Sequence, residues 1–350
     1  MSAFPGLTRT SEKKPTLTQY FMIYEGECTE KDYFDGVSKA AESSKLKLKV
    51  TPKEIERFET EWFETDILRL ISLANSYIES IKKKRFHQIY FANMVLEPFC
   101  REKRTEYLQK GKYGTDYPKY LTSVINPYKD KLLDDLKRKR LIDDQGFITS
   151  ATEAVNYCRN DIKRKFKYDV AGKIRKEDIE RWSVGSRDQV CIIHDRDYSE
   201  KYFNDIAYMR AMRETDRLTR TGGERYRLII TYPKFELWLV MHLMKEKDLP
   251  GLNYNYLKNY SGCDSCPFKE PSKTGPSQYV ADLFREYYHI EQTKHIRELF
   301  DRVMLSNLKN AISISKSEPF TTDVKELMSK PGTNMGLLME EILNFNNQII

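Results

Sequence analysis

The chain has 350 residues, of which 32% are charged and 40% hydrophobic, a composition ordinary for a globular protein with room for about two domains. The formal net charge of +7 is the difference between 59 basic and 52 acidic residues, so any anion-binding surface must be local. The sequence contains neither an apolar stretch of membrane-spanning length nor a secretory signal segment, and we therefore expect a cytoplasmic protein with reduced cysteines.

The chain opens with a β-α-β pattern. An apolar strand is predicted from Gln19 to Tyr24, a helix from about Glu30 to Ser43, and an alternating, lysine-rich edge strand from Lys45 to Val50. This order is typical of a parallel sheet, in which helices connect consecutive strands. The sequence therefore predicts an α/β fold.

Residues 51–147 have a different character, because they are rich in charge, tyrosine and helical apolar spacing. A helix is predicted from Glu54 to Ile81, and a short apolar segment runs from Ile89 to Leu96. We interpret 51–147 as a mainly helical insertion, a candidate module for binding substrate or partner, within a discontinuous domain of 1–50 and 148–350. Its tyrosines either stack on unpaired bases or pack between helices, and they are Tyr107, Tyr113, Tyr117, Tyr120 and Tyr128.

The second half of the chain returns to alternating strands and helices. Strands are predicted at Asp188–His194 and Tyr226–Thr231, and the helix that Pro233 opens is apolar nearly all round and must be buried. Further helices are predicted at Thr149–Lys167, at Ser199–Glu214, from about Gln278, and from Gly332 onward.

Carboxylates follow the apolar runs. Glu25 comes directly after the first strand, Asp195 and Asp197 end the strand that begins at Asp188, and Glu236 lies in the first turn of the apolar helix. Because parallel strands end at a common edge, where open α/β sheets bind ligands, these acids are expected to converge. Clustered carboxylates suit Mg²⁺ or Mn²⁺ better than Zn²⁺. We predict that Glu25, Asp195 and Asp197 bind metal and that Glu236 completes or orients the catalytic site.

Each acid also has a structural interpretation. Glu27 and Glu30, which are supporting candidates, would equally stabilise the positive end of the helix that follows them. Glu236 has the same alternative, and the aspartates could be a loop acid and a helix cap. His194 is a further supporting candidate because it borders Asp195, although a packed histidine is the more common case.

Two more groups are candidates for binding. Four arginines flank the turn at 221–223 and form a candidate clamp for a nucleic-acid backbone: Arg217, Arg220, Arg225 and Arg227. Cys263 and Cys266 have the spacing of half a zinc site, but no second cysteine pair follows, which favours a loop.

Several motifs together resemble the RloB family. The run Glu25-Gly-Glu-Cys-Thr-Glu30 with Tyr33-Phe34 resembles the opening motif of that family, and Asp195-Arg-Asp197 resembles its acidic pair. The segment from Pro233 to Leu239 with His242 resembles its third motif, and Gly332-Thr-Asn-Met335 its closing one. The resemblance covers residues 19–50 and 148–345. Tyr232 departs from the pattern, since asparagine is common there.

The resemblance implies a fold and an activity. RloB proteins resemble the Toprim superfamily, whose parallel sheet flanked by helices binds Mg²⁺ through a glutamate and an aspartate pair, here Glu25, Asp195 and Asp197. It therefore implies a metal-dependent endonuclease that acts beside an ATPase partner as effector of an anti-phage defence system. RNA, including tRNA, is favoured over DNA as substrate. The alternatives are a module that binds nucleic acid or docks on the ATPase without cleaving, and a nucleotide-incorporating enzyme using the same acids.

Overall fold

The protein is described by a computed structural model. The described residues are 18–24, 29–43, 48–52, 67–112, 116–169, 184–196, 205–259, 276–289, 296–328 and 330–347. None of the helices within these ranges has the length and apolarity that crossing a bilayer requires.

A single five-stranded sheet organises the described part of the chain. Its strands are β1 (Thr18–Tyr24), β2 (Leu48–Pro52), β3 (Gln189–Asp195), β4 (Arg225–Tyr232) and β5 (Gly332–Thr333). The order across the sheet is β2-β1-β3-β4-β5, with the first four strands parallel and β5 antiparallel to β4. The predicted α/β fold is thus confirmed as a mostly parallel sheet, and β2 is at its edge, as its alternating sequence indicated. The antiparallel strand β5 was not predicted.

Helices cover both faces of this sheet. They are α1 (Thr29–Ser43), α2 (Ile67–Lys83), α3 (Gln88–Gln109), α4 (Asp116–Tyr120), α5 (Asn126–Arg138), α6 (Ala151–Phe166), α7 (Asp205–Gly222), α8 (Glu236–Met241), α9 (Tyr254–Asn259), α10 (Pro276–Tyr288), α11 (Ile296–Leu299), α12 (Leu308–Ser315) and α13 (Met335–Asn347). A π-helical turn, Leu121–Ile125, joins α4 to α5, and a second, Phe300–Met304, follows α11.

Alternate residues of the central strands supply two separate cores. Phe21 and Ile192 face one side, where they join a cluster that includes Ile71 of α2 and Tyr208 of α7. This first face therefore shares its core with the helices of residues 67–166. Whether 51–147 forms an insertion separable from the sheet domain stays a prediction.

The opposite face packs against the first helix and the C-terminal half of the chain. Met22 and Ile193 point to this second face. They join a cluster that includes Trp238 of α8, Phe300 of the second π-helical turn, and Leu338 of α13. Because a central parallel strand is buried on both faces, β3 has an almost unbroken apolar sequence, Val-Cys-Ile-Ile, rather than an alternating one.

Several helices differ from their predicted extents. The apolar segment Ile89–Leu96 is part of the 22-residue helix α3, which continues through Pro98. The apolar helix begins at Glu236 rather than at Pro233 and ends after six residues, although it is buried as predicted. Of the helix predicted from Glu54, the described part begins at Ile67.

The tyrosines of this helical region pack between helices where their side chains are buried. Tyr117 is buried and donates a hydrogen bond to the carbonyl of Cys100 at 2.9 Å. Tyr128 is buried and donates to a carboxylate oxygen of Asp161 at 2.8 Å. These two rings are therefore structural, whereas Tyr113 lies outside the described residues.

Candidate metal centre

Three neighbouring parallel strands end at one edge of the sheet, which we call the acid edge. Strand β1 ends at Tyr24, paired in register with Ile193 of β3, and β3 ends at Asp195, paired with Thr231 of β4. Strand β4 ends one residue later, at Tyr232. The sequence places Glu25 directly after β1 and Asp197 two residues after β3, so the strands that precede the predicted metal ligands are adjacent and parallel.

Asp195 is the predicted metal ligand that the structure describes. Successive side chains of a strand alternate between faces, so Asp195 lies on the second face, with Ile193. The residue as a whole is partly exposed, although its Oδ1 atom is buried. Across the β3–β4 pair stands Thr231, whose hydroxyl is 2.9 Å from that of Thr333, and both threonines are fully buried. At the acid edge, Asp195 therefore lies beside two threonine hydroxyls that are hydrogen-bonded to each other.

Glu236 lies close to this edge in the chain, at the start of α8 and four residues beyond the end of β4. Its side chain is 13% exposed, and a carboxylate oxygen lies 3.7 Å from Nζ of Lys234. Its position in the first turn favours a negative charge even without a metal. The structure therefore gives Glu236 a structural partner, and a metal at this carboxylate would have to compete with the lysine.

Part of the predicted site lies outside the described residues. Glu25, Glu27 and Asp197 are in this group, as are Cys263 and Cys266. Within the described ranges there is no cluster of three histidine, cysteine or carboxylate side chains with the arrangement of a metal site. Asp195 and Glu236 alone supply too few oxygen atoms for Mg²⁺, which takes about six ligands, so a metal site here depends on the flanking acids and on water.

The supporting candidates Glu30 and His194 occupy different environments. Glu30 is in the first turn of α1 and is only 6% exposed, which fits the role of a helix-start acid. His194 is buried on the first face, and its Nδ1 lies 2.9 Å from the hydroxyl of Tyr208. Although His194 borders Asp195 in sequence, the two side chains are on opposite faces of the sheet, and the structure supports the packed alternative for this histidine.

Two of the arginines predicted as a clamp, Arg225 and Arg227, are in β4 at the end opposite the acid edge. Arg225 is the first residue of this strand, and Tyr232, at the acid edge, is the last. The seven residue steps from Arg225 to Tyr232 span about 23 Å along the strand. Arg227 points to the second face and pairs with Glu341 of α13 at 2.6 Å.

The other two arginines are on α7, which precedes β4. Arg217 pairs with Glu214 one helical turn away at 2.6 Å, and Arg220 donates to the carbonyl of Asp216. Helix α7 ends at Gly222, next to the start of β4. The four arginines therefore lie at the edge of the sheet opposite the acid edge, and whether they clamp a nucleic-acid backbone stays a prediction.

The closing motif holds the outer side of β4. Asn334 accepts a hydrogen bond from the backbone N–H of Ile230 at 2.7 Å and donates one to the carbonyl of Leu228 at 2.8 Å. Its side chain thereby continues the pairing that the two-residue strand β5 begins. The position of Asn334 in the closing motif suggested that it mattered. Its role in bonding to the backbone of β4 in place of a neighbouring strand became visible only in the structure.

Gly332 precedes this asparagine and has a φ of 153°. A Cβ atom at this position would overlap the backbone of Thr321, which passes directly against it. A glycine is thus required for the close approach of the two backbones that places Thr333 and Asn334 against β4.

Arg196 is the second residue whose role was missed. It separates the two aspartates in sequence, yet it is 2% exposed and points to the first face. Its guanidinium lies 5.6 Å from the ring centroid of Tyr208 and 5.4 Å from that of Tyr232, and it donates a hydrogen bond to the carbonyl of Leu327. The family pattern drew attention to the flanking acids rather than to this buried cation.

Fold and edge together define an α/β protein with a mostly parallel sheet and acidic residues at the carboxyl ends of its central strands. A model of the RloB-like protein family matches residues 114–342. The chain belongs to this family. The match begins inside the region predicted as an insertion and includes Asp195 and Glu236, whereas Glu25 lies N-terminal to it. Comparison with curated proteins gives no significant match, and neither does comparison with solved structures.

Proposed function

We propose that the protein is a Mg²⁺- or Mn²⁺-dependent nuclease that hydrolyses phosphodiesters at the acid edge. The observation that carries the proposal is the position of Asp195 at the end of β3, between two parallel strands whose sequences continue into Glu25 and towards Glu236. Glu25, Asp195 and Asp197 are the proposed metal ligands, and Glu236 is the proposed orienting group. Family membership supports the same assignment.

A divalent cation held by these carboxylates would polarise the phosphodiester and lower the pKa of bound water. The described side chains near the edge favour water as the nucleophile. Thr231 and Thr333 are buried and hydrogen-bonded to each other. Cys191 lies four residues back from Asp195 in β3 and is also buried, and burial raises the pKa of its thiol to about 12, so it carries almost no thiolate at neutral pH.

The substrate and the setting rest on the family resemblance. We propose RNA, with tRNA as the first candidate, ahead of DNA, and an anti-phage defence system with an ATPase partner as the setting. The helices α2 to α5, which lie within 51–147, are the proposed module for recognising substrate or partner. They are anchored firmly enough for that task, because they share a core with the first face of the sheet.

Incubation of labelled tRNA, other RNA and DNA with the protein in Mg²⁺, Mn²⁺ or EDTA tests the activity. Cleavage should require the metal and should be lost in Asp195→Asn and Glu25→Gln, which remove charge and little volume. Asp216→Asn is the matched control, because Asp216 is exposed on α7. Cleavage that survives both Asp195→Asn and Glu25→Gln would show that these acids are not the catalytic site.

The same assay separates the alternatives. Binding of nucleic acid that is insensitive to EDTA and leaves every strand intact, with the purified ATPase partner present, would favour a non-cleaving module. Strands that lengthen when nucleoside triphosphates are added would favour nucleotide incorporation at the same acids. Shortened strands favour the nuclease.

A further inference from the structure

Arg196 is placed to hold the end of β3 from the face opposite the proposed metal site. Asp195 points to the second face, whereas the side chain of Arg196 enters the first face and is almost fully buried. Its backbone N–H donates to the carbonyl of Thr231 at 2.8 Å, which extends the β3–β4 pairing one residue beyond Asp195. The backbone that carries the aspartate is thereby fixed on its C-terminal side.

The guanidinium of Arg196 is held by three different parts of the chain. Tyr208 comes from α7, Tyr232 is the last residue of β4, and Leu327, whose carbonyl accepts a hydrogen bond, belongs to the short helix Glu326–Met328 near the C-terminus. Burying a cation is costly unless hydrogen-bond acceptors and π faces surround it. A planar guanidinium can meet two rings and a carbonyl at once, whereas a lysine ammonium presents a point charge.

We propose that Arg196 is a positioning residue for metal binding at the acid edge, acting through the strand end rather than by contact with the metal or substrate. The inference rests on the proposed metal site. Partners that orient metal ligands without contacting the ion typically contribute about 10- to 100-fold to metal affinity. Tyr232, where asparagine is common in the family pattern, would belong to this arrangement, because its ring supplies one of the faces that Arg196 meets.

The test measures Mn²⁺ affinity of the full-length protein by electron paramagnetic resonance of the free ion, which needs no substrate or partner. Arg196→Met should bind Mn²⁺ about 10- to 100-fold more weakly than the parent protein. Arg196→Lys, which keeps the charge, should recover only part of the loss. Tyr208→Phe keeps a ring beside the guanidinium and should bind Mn²⁺ more tightly than Tyr208→Leu.

A control of similar severity separates positioning from general destabilisation. Lys82 of α2 pairs with the buried Glu224 at 3.1 Å, just before the start of β4 and away from the acid edge. Lys82→Met should lower stability and leave Mn²⁺ affinity unchanged. Unaltered affinity in Arg196→Met, or an equal loss in Lys82→Met, would overturn the inference.

Asp195→Asn distinguishes this failure from failure of the proposed function. If Asp195→Asn loses Mn²⁺ binding while Arg196→Met retains it, the metal site stands and the positioning role is rejected. If Asp195→Asn binds Mn²⁺ as the parent does, the metal site is rejected and the role of Arg196 with it.

Discussion

Asn334 offers the sharpest test of how the acid edge is built. Its amide oxygen accepts from the N–H of Ile230 and its amide nitrogen donates to the carbonyl of Leu228, so one side chain satisfies two backbone groups on the outer side of β4. Asn334 is 7% exposed and Ile230 is fully buried. Replacement by alanine would leave both backbone groups without these partners.

The loss of stability in Asn334→Ala depends on how many buried backbone groups lose their hydrogen-bond partner. A buried polar group that loses its partner costs about 1–3 kcal/mol. Two such groups give about 2–4 kcal/mol, near the low end of the sum, because water can enter part of the space that the amide leaves. Asn334→Asp should not rescue the loss, since a carboxylate still accepts from Ile230 but cannot donate to Leu228.

Urea denaturation measures the stability, and hydrogen exchange of the Ile230 amide reports on the local bond. Exposed Asn156 of α6 provides the matched control, because Asn156→Ala removes the same atoms and improves helix propensity. A loss below about 0.5 kcal/mol in Asn334→Ala, or unchanged protection of Ile230, would refute the view that this side chain acts as a strand.

Three further predictions concern residues that are not proposed metal ligands. Gly332→Ala should destabilise the protein by about 2–4 kcal/mol, seen in the denaturation midpoint, because the new methyl group would meet the backbone of Thr321; wild-type stability would refute this. His242 is fully buried, which lowers its pKa to about 4 from an ordinary 6.5, so the unfolded chain takes up a proton first as the pH falls. Between pH 6.5 and about 4 this residue should cost up to about 3 kcal/mol of stability, and His242→Gln should flatten that part of the pH profile; an unchanged slope would count against it. Lys82→Met should cost about 2 kcal/mol by leaving the carboxylate of Glu224 buried without this cation, and Glu224→Gln should cost less; equal losses would contradict that reason.

The sheet was predictable from sequence because its central strands are buried on both faces. The apolar runs predicted β1 and β3 to within a residue or two, and the helix predicted from Thr149 begins at Ala151, where Ser150 caps it. Strand β5 was missed because two residues are too short for any periodicity, and because a side chain, Asn334, continues its pairing.

The placement of charged residues around the site was harder to predict, because sequence distance is a poor guide to position around a strand. His194 and Asp195 are consecutive but point to opposite faces, since side chains alternate. Arg225 is only eleven residues from Glu236 in sequence. It nevertheless lies at the first end of β4, whereas the acid edge is at the last end of that strand. Helical spacing placed the apolar residues correctly, whereas the placement of charges required the direction and register of β4.

The acid edge needs a rigid frame for an electrostatic reason. In the proposed metal site, the carboxylates would repel each other until a cation binds, and this repulsion would favour separation of the strand ends that carry them. The described residues resist this separation from outside the cluster. Arg196 ties the end of β3 to Tyr208, Tyr232 and Leu327, while Asn334 ties β4 to the C-terminal segment. Because these contacts use buried rings and backbone groups instead of the carboxylates, they leave the acids available for a ligand.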